Sequence, residues 1–427
     1  MYMVVISVLY SGGIGEMCAT ANVMLGSEAG TWRIQMVIHG YDFTFVDEDK
    51  AKITCSNDNK LFSLLLVTLL LVVVVFTFRS FAVYDETPEI DLNFEPLSEE
   101  KIAKAAESYR AQEKTIQFGM GGLDNLERIK EKNSDPLPHR KFTGLSAAEM
   151  CETGRGDCVA PFARIRPLIV TAPNHHLMSC IIQKSMSTVM SAIFCFLIRE
   201  RDFVDAGRSI LREYADIRLC EGRNEFKSVD SMRRGLRLRT QDLARWRFTV
   251  VTREPVDRFL SGFIDRCIRV GDSCFGCGTN MTCFLEEEYK RATEYAFADQ
   301  HSLLKPWLTN EDIHVFPQNW RCNMETTFEK YEFIRYSNDP SDTLLEDLIP
   351  LLRAQNVSES SINYIAESLR SGRTAHSTVA SAARTYLEGR VRSSPYLMEL
   401  IVRLFYNDYK LFKYSLPDLD KFTEIPK

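Results

Sequence analysis

"IIQKSMSTVM", residues Ile181–Met190, joins a strand-like run, "HLMSCIIQK", to the apolar stretch "SAIFCFLIRE". A strand that feeds a helix through a short turn aims free backbone N–H groups and the positive end of the helix dipole at one point. Lys184 and the hydroxyls of Ser185, Ser187 and Thr188 add a cation and further donors, so Gln183, Lys184, Ser185, Met186, Ser187, Thr188 and Val189 form a candidate phosphate or sulfate cradle. The stretch contains no glycine. Glycine is required only where the backbone takes unusual dihedrals or a polyphosphate presses close, and a wrap around one phosphate can do without it. The loop G-x-x-x-x-G-K-[ST] is absent, which argues against a kinase or triphosphatase. The competing reading is a plain surface turn, with Ser187 or Thr188 near the N-cap of the helix "STVMSAIFCFLIRERDFV".

A second stretch, "TREPVDRFLSGFIDRC", Thr252–Cys267, follows the buried-looking strand "FTVV". Arg253 falls at the strand's C-terminal end, where ligands bind in open α/β sheets. Glu254-Pro255 starts a helix that carries Arg258 and Ser261 about one turn apart. Arg253 and Ser261, with Arg258 between them, make a second candidate anion grip through charge-assisted bonds. The alternative pairs Arg253 with a carboxylate and simply packs Ser261. "RPLIVTAP" reads as another strand, and "SDTLLEDLIPLLRAQ" and "SSPYLMELIVRLFYNDYKLF" have helical periodicity. Strands and helices in this alternation predict an α/β fold, a central parallel sheet flanked by helices.

The 427 residues suffice for one large domain or two smaller ones. Within an ordinary globular composition one segment stands apart: Leu61–Phe78, "LFSLLLVTLLLVVVVFTF", has no charge over eighteen residues, about the shortest helix that crosses a hydrocarbon core. Lys50, Lys52 and Lys60 precede it, and Arg79 alone follows before an acidic run. This bias predicts a single-pass type II arrangement with the N-terminus in the cytosol. The expected organisation is a cytosolic tail at 1–60, a transmembrane helix at 61–78, a lumenal stem at 79–150 and a catalytic domain at 151–427. The sequons at Asn280 and Asn356, and ten of the twelve cysteines, fall on the lumenal side. Cys267, Cys274, Cys277 and Cys283 cluster closely enough to raise zinc, but in a lumen disulfides are expected. Cys180 and Cys195 are expected to be plain core residues. The net charge of −6 gives no global reason to bind nucleic acid. An arginine-rich section from Arg199 to Arg247 would attract an acidic polysaccharide, or else is a solvated face of ion pairs.

Taken together, "QKSMSTV" resembles the 5′-phosphosulfate loop and "REPVDRFLS" the 3′-phosphate motif of Golgi carbohydrate sulfotransferases, most of all the chondroitin 4-O-sulfotransferase-like group and its nematode-type relatives. "EDIHVFPQNWRC", Glu311–Cys322, resembles that family's acidic–histidine segment, and "LFYNDYKLFKY", Leu404–Tyr414, its C-terminal signature. Gln183 stands where many members have proline, and Met186 where a small residue is common. The resemblance implies transfer of a sulfuryl group from 3′-phosphoadenylyl sulfate (PAPS) to a glycan hydroxyl, without a metal. It implies that Lys184 stabilises the departing phosphate, that Ser185 to Thr188 hold the 5′-phosphate, and that Arg253 and Ser261 hold the 3′-phosphate. The alternative is a catalytically silent relative that binds glycan in the lumen. For the general base His314 is the first choice, with Asp312 as its orienting partner; His301 and His376 compete.

Overall fold

The structure is a computed structural model that describes residues 2–8, 19–28, 31–38, 41–46, 100, 126–134, 142–153, 158–213, 218–337, 343–372 and 381–419. The span 61–78, most of the stem and His376 lie outside the described residues. Among the described residues no helix is long and apolar enough to cross a membrane.

The chain divides into two units, Met1–Glu86 and Thr87–Lys427. The first holds an antiparallel meander of β1 (Tyr2–Val8), β2 (Ala19–Glu28), β3 (Thr31–Ile38) and β4 (Tyr41–Val46), in a stretch whose sequence shows no clear period.

The second unit is built on five strands: β5 (Ile169–Ala172), β6 (Leu177–Cys180), β7 (Glu225–Phe226), β8 (Arg247–Arg253) and β9 (Tyr331–Tyr336), in the order β7-β5-β6-β8-β9. The sheet is mixed, which corrects the expected parallel one. Strands β6, β8 and β9 run parallel, but β5 pairs antiparallel with both β6 and β7. The reason is local. Pro173–His175 and a left-handed His176 turn the chain straight back, and a parallel crossover needs a dozen residues or more.

The principal helices of this unit are α1 (Ser187–Ile198), α2 (Pro255–Phe263), α3 (Met281–Gln300), α4 (Asn310–Val315), α5 (Thr343–Ala354), α6 (Glu359–Ser371), α7 (Ala382–Ser393) and α8 (Pro395–Leu411). Strand alternation sends Val170, Ala172, Leu177, Val251 and Ile334 to the face covered by α1, α5 and α6. Ile169, Met178, Cys180, Phe248 and Val250 go to the other face, with Trp246, Tyr331 and Phe412. A separate apolar cluster joins α2, α3, α4, α7 and α8. Val189 to Ile198 are all buried, as expected of a helix without a polar face. The helix expected to continue to Val204 instead breaks at Arg199 and restarts as Glu200–Asp205.

Five disulfides tie this unit: Cys151–Cys158, Cys180–Cys322, Cys195–Cys220, Cys267–Cys274 and Cys277–Cys283. The clustered cysteines pair among themselves. Cys180 and Cys195, expected to be plain core from their positions on a strand and a helix, are instead disulfide-bonded. Each is buried and meets a partner brought by a distant segment, 142 and 25 residues away in sequence.

Candidate functional site

The ends of β6 and β8 lie side by side because these strands are parallel neighbours, Cys180 opposite Val250. Each strand runs directly into a helix, so two strand-to-helix turns open toward one place. In the first turn Lys184 and Met186 adopt left-handed φ of 66° and 58°. Conformations that glycine takes freely are here held by side-chain-bearing residues, at a cost of order 1–3 kcal/mol each. Met186, not Ser187 or Thr188, is the N-cap of α1, and no side chain caps the helix. Its first N–H groups, at Ser187, Thr188 and Val189, therefore face the turn without a side-chain acceptor from the cap, the arrangement that suits an anion. Met186, where a small residue is common in the family, packs its side chain against the apolar cluster around α1. Gln183 Oε1 is buried without a partner among the described residues.

The second turn is anchored to the first. Arg253 is buried, stacks 4.8 Å above the ring of Tyr336 and donates from Nη1 to the Lys184 carbonyl at 3.1 Å. Gln318 joins both turns: its Oε1 accepts from Ser185 Oγ at 3.2 Å and from the Arg253 N–H at 3.0 Å, while its Nε2 donates to the Arg253 carbonyl at 2.8 Å. Gln318 is held in turn by Asp408, whose carboxylate accepts from the N–H groups of Gln318 and Asn319 and from Asn319 Nδ2, at 2.8, 2.9 and 2.6 Å. Tyr409 donates to Glu254 Oε1 at 3.0 Å, and the other Glu254 oxygen caps α2 at the Asp257 N–H. The C-terminal signature thus contributes a buried carboxylate and a phenol that fix the tip of β8 from behind.

Arg258 is equally buried, and its guanidinium donates to four backbone carbonyls: Gln183 at 3.0 Å, Val315 and Phe316 at 2.9 Å, and His314 at 3.2 Å. That makes Arg258 a brace between the first turn and α4, not an open grip on an anion. Ser261 lies one turn further along α2. Gly262 allows α4 close in: a Cβ there would sit 2.7 Å from Val315 Cγ2.

This crossing brings His314 into the field of Lys184. Burial, then the Lys184 charge, pushes the imidazole down to about 3, so it is neutral near pH 7. Nδ1 lies 2.6 Å from the Asn310 carbonyl. A carbonyl only accepts, so Nδ1 carries the proton and Nε2 keeps its lone pair. Asp312 does not orient it; that carboxylate pairs with Arg291 and accepts from the Thr309 N–H. His301 is exposed at the end of α3, its Nδ1 on the Phe297 carbonyl.

The feature the sequence did not reveal is Asp265, in the π-helical segment Ile264–Val270 that continues α2. Its Oδ2 pairs with Lys184 Nζ, and its Oδ1 with Arg269, whose Nε is at 2.7 Å. Burial would raise this carboxyl, but Lys184 and then Arg269 overcome it and hold it at about 2. Burial lowers Lys184 to about 8 against the pull of Asp265.

Part of the arginine-rich section is occupied: Arg199, Arg218, Arg239 and Arg247 pair with Asp202, Glu225, Asp242 and Glu332. Of the sequons, Asn356 is exposed with φ 57°, whereas Asn280 caps α3 by accepting from the Cys283 N–H at 3.0 Å. No group of three His, Cys, Asp or Glu side chains is placed to hold a metal among the described residues.

Residues 167–415 match the model of the sulfotransferase family. An uncharacterized protein of Caenorhabditis elegans is 39% identical over 301 residues, covering 69% of this chain and 82% of the relative. From the same organism, the putative sulfotransferase vep-2 is 36% identical over 270 residues (62% and 81%). The carbohydrate sulfotransferase chst-1 is 30% identical over 266 residues (60% and 78%). No solved structure matches. The family match spans both turns, the Gln318 segment and the Asp408 signature that joins them, and the chain belongs to the sulfotransferase family.

Proposed function

We propose that the chain transfers a sulfuryl group from PAPS to a hydroxyl of a glycan, of the chondroitin type at the 4-position of N-acetylgalactosamine. The observation that carries this reading is the convergence of two cations, the buried Arg253 and the largely enclosed Lys184, on neighbouring strand ends, with Arg253 bonded to the Lys184 carbonyl. A donor with a phosphosulfate at one end and a phosphate at the other matches two anion turns side by side. Chemically, PAPS supplies an activated sulfuryl group and a phosphate leaving group.

The residues present fit such a donor. Ser185, Ser187 and Thr188, with the uncapped N-terminus of α1, would hold the 5′-phosphate, and Lys184 would neutralise charge on the leaving oxygen. Arg253, with Ser261, would hold the 3′-phosphate. His314 Nε2 would accept the proton of the acceptor hydroxyl. Five disulfides and the exposed sequon Asn356 support a Golgi lumenal placement behind a type II anchor at 61–78.

The test is incubation with radiolabelled PAPS and desulfated chondroitin, alongside calorimetry with 3′,5′-ADP. Label on the polysaccharide, lost in Lys184→Ala and Arg253→Ala, is the expected result. Absence of transfer by the wild type, or transfer undiminished in both variants, overturns the reading.

A further inference from the structure

We propose that Asp265 is a positioning residue for the donor lysine: it holds the Lys184 ammonium charged and aimed until an anion arrives, and Arg269 then keeps the carboxylate neutralised. This inference rests on the proposed donor chemistry but names a residue and a device beyond it.

The geometry is specific. The Lys184 side chain is 11% exposed and that of Asp265 4%. An ammonium so enclosed, without a partner, sheds its proton, because burial disfavours the charged form. Asp265 is the carboxylate that faces it; Arg266 and Arg269 of the same π-helical segment and His314 of α4 are the other charged or titratable groups in its field. Both arginines favour loss of the proton, so Asp265 alone opposes them.

The carboxylate is divided between two cations. Oδ2 meets Lys184, while Oδ1 meets Arg269, four residues on along the same segment. Lys184 can therefore leave Oδ2 for a phosphosulfate oxygen without stranding a buried charge, since Arg269 stays. Arg266 is engaged elsewhere, with Asp272 at 2.7 Å, and does not compete for Oδ1.

Two variants with opposite expected signs test this. Lys184 is titrated by its reactivity toward an amine-acylating reagent across pH 5–10, read by peptide mass spectrometry, on the full chain without donor. Asp265→Asn removes the countercharge, so half-modification should move down by about one unit or more. Arg269→Gln removes an opposing cation while leaving Asp265 in place, so half-modification should move up. An unmoved or upward titration in Asp265→Asn, or shifts of the same sign in both, overturns the proposal. If Asp265→Asn does not fold, the Arg269→Gln arm decides alone, and a downward or absent shift there is fatal.

In the sulfate-transfer assay, Asp265→Asn should lose about threefold or more in kcat/KM for the donor at pH 7.5 and regain part of it at lower pH, where Lys184 is reprotonated. Asp265→Glu should restore most of it. A wild type that neither binds 3′,5′-ADP nor transfers sulfate defeats the donor reading whatever the titration shows. A competent wild type with an unmoved titration defeats the latch alone.

Discussion

Gln318→Leu is the substitution that most directly probes how the two turns are coupled. The leucine keeps nearly the same volume and removes three hydrogen bonds: those to Ser185 Oγ, the Arg253 N–H and the Arg253 carbonyl. Gln318 is fully buried and Arg253 is 3% exposed, so water does not replace the lost partners. Two backbone groups of Arg253 are left unsatisfied at about 1–3 kcal/mol each. The Ser185 hydroxyl adds a smaller loss, for a total of about 3–5 kcal/mol. At roughly 2–4 °C per kcal/mol for a domain of this size, the melting midpoint should fall by about 6–20 °C. Affinity for 3′,5′-ADP should fall about tenfold or more although Gln318 is assigned no contact with it, because Arg253 and Ser185 lose their common support. Calorimetry of the purified chain measures both quantities. A variant that melts within about 2 °C of wild type and binds 3′,5′-ADP with unchanged affinity refutes the coupling. Loss of stability with affinity intact would show that Gln318 supports the sheet alone.

Arg253→Ala should weaken 3′,5′-ADP binding about tenfold or more and adenosine 5′-monophosphate binding by less, since the loss of the 3′-phosphate partner adds to the loss of support at the Lys184 carbonyl; competition calorimetry reads the difference. The pH profile of kcat/KM for the donor should be flat from pH 5 to 7, because His314, at about 3, is already neutral there. It should fall in one step above about 8 as Lys184 loses its proton. Replacing Cys180 and Cys322 together by alanine opens a loop of 142 residues and should cost about 2–5 kcal/mol in denaturant unfolding. Glu288 is fully buried beside Asp312, and burial holds its pKa well above the ordinary carboxyl value. A raised folded-state pKa gives stability that is complete below the unfolded value and declines as pH rises toward the folded one. Glu288→Gln should therefore flatten this decline and stabilise the protein at pH 7, as thermal melts at pH 4.5 and 7 would show.

What the sequence displays of this site is what local rules govern. A strand that ends in Arg253 and a helix that opens on Glu254-Pro255 are found as expected, because Pro at the first helical position and a capping carboxylate act within four residues. The left-handed backbone at Lys184 and Met186 is also local, yet neither residue type announces it. The remaining contacts are long-range. Lys184 finds Asp265 across 81 positions and Arg253 finds Gln318 across 65, and no spacing rule connects them. Arg258 shows the limit most sharply. It stands five residues from Arg253, in a motif where both read as anion ligands, but the fold points it at carbonyls of Gln183 and α4. In the same way part of the run of arginines from Arg199 to Arg247 is answered by carboxylates distant in sequence, such as Glu332 on β9, which faces Arg247.

These long-range bonds explain how a phosphate-type turn forms without glycine. Gln183 and Lys184 have their carbonyls, and Ser185 its hydroxyl, each fixed by a different distant residue: Arg258, Arg253 and Gln318. Beneath them Cys180 is tied to Cys322, four residues beyond Gln318. The left-handed residues cost a few kcal/mol together, and three buried hydrogen bonds, two of them from guanidinium groups, are of the size to offset it. A glycine at 186 would relax the backbone but forfeit the packing of Met186 on the cluster around α1. It would also enlarge the conformational freedom of the unfolded chain. The turn's shape therefore resides less in its own residues than in the arginines and the glutamine that hold it, so substitutions in those supports should disturb the cradle more than a glycine within it.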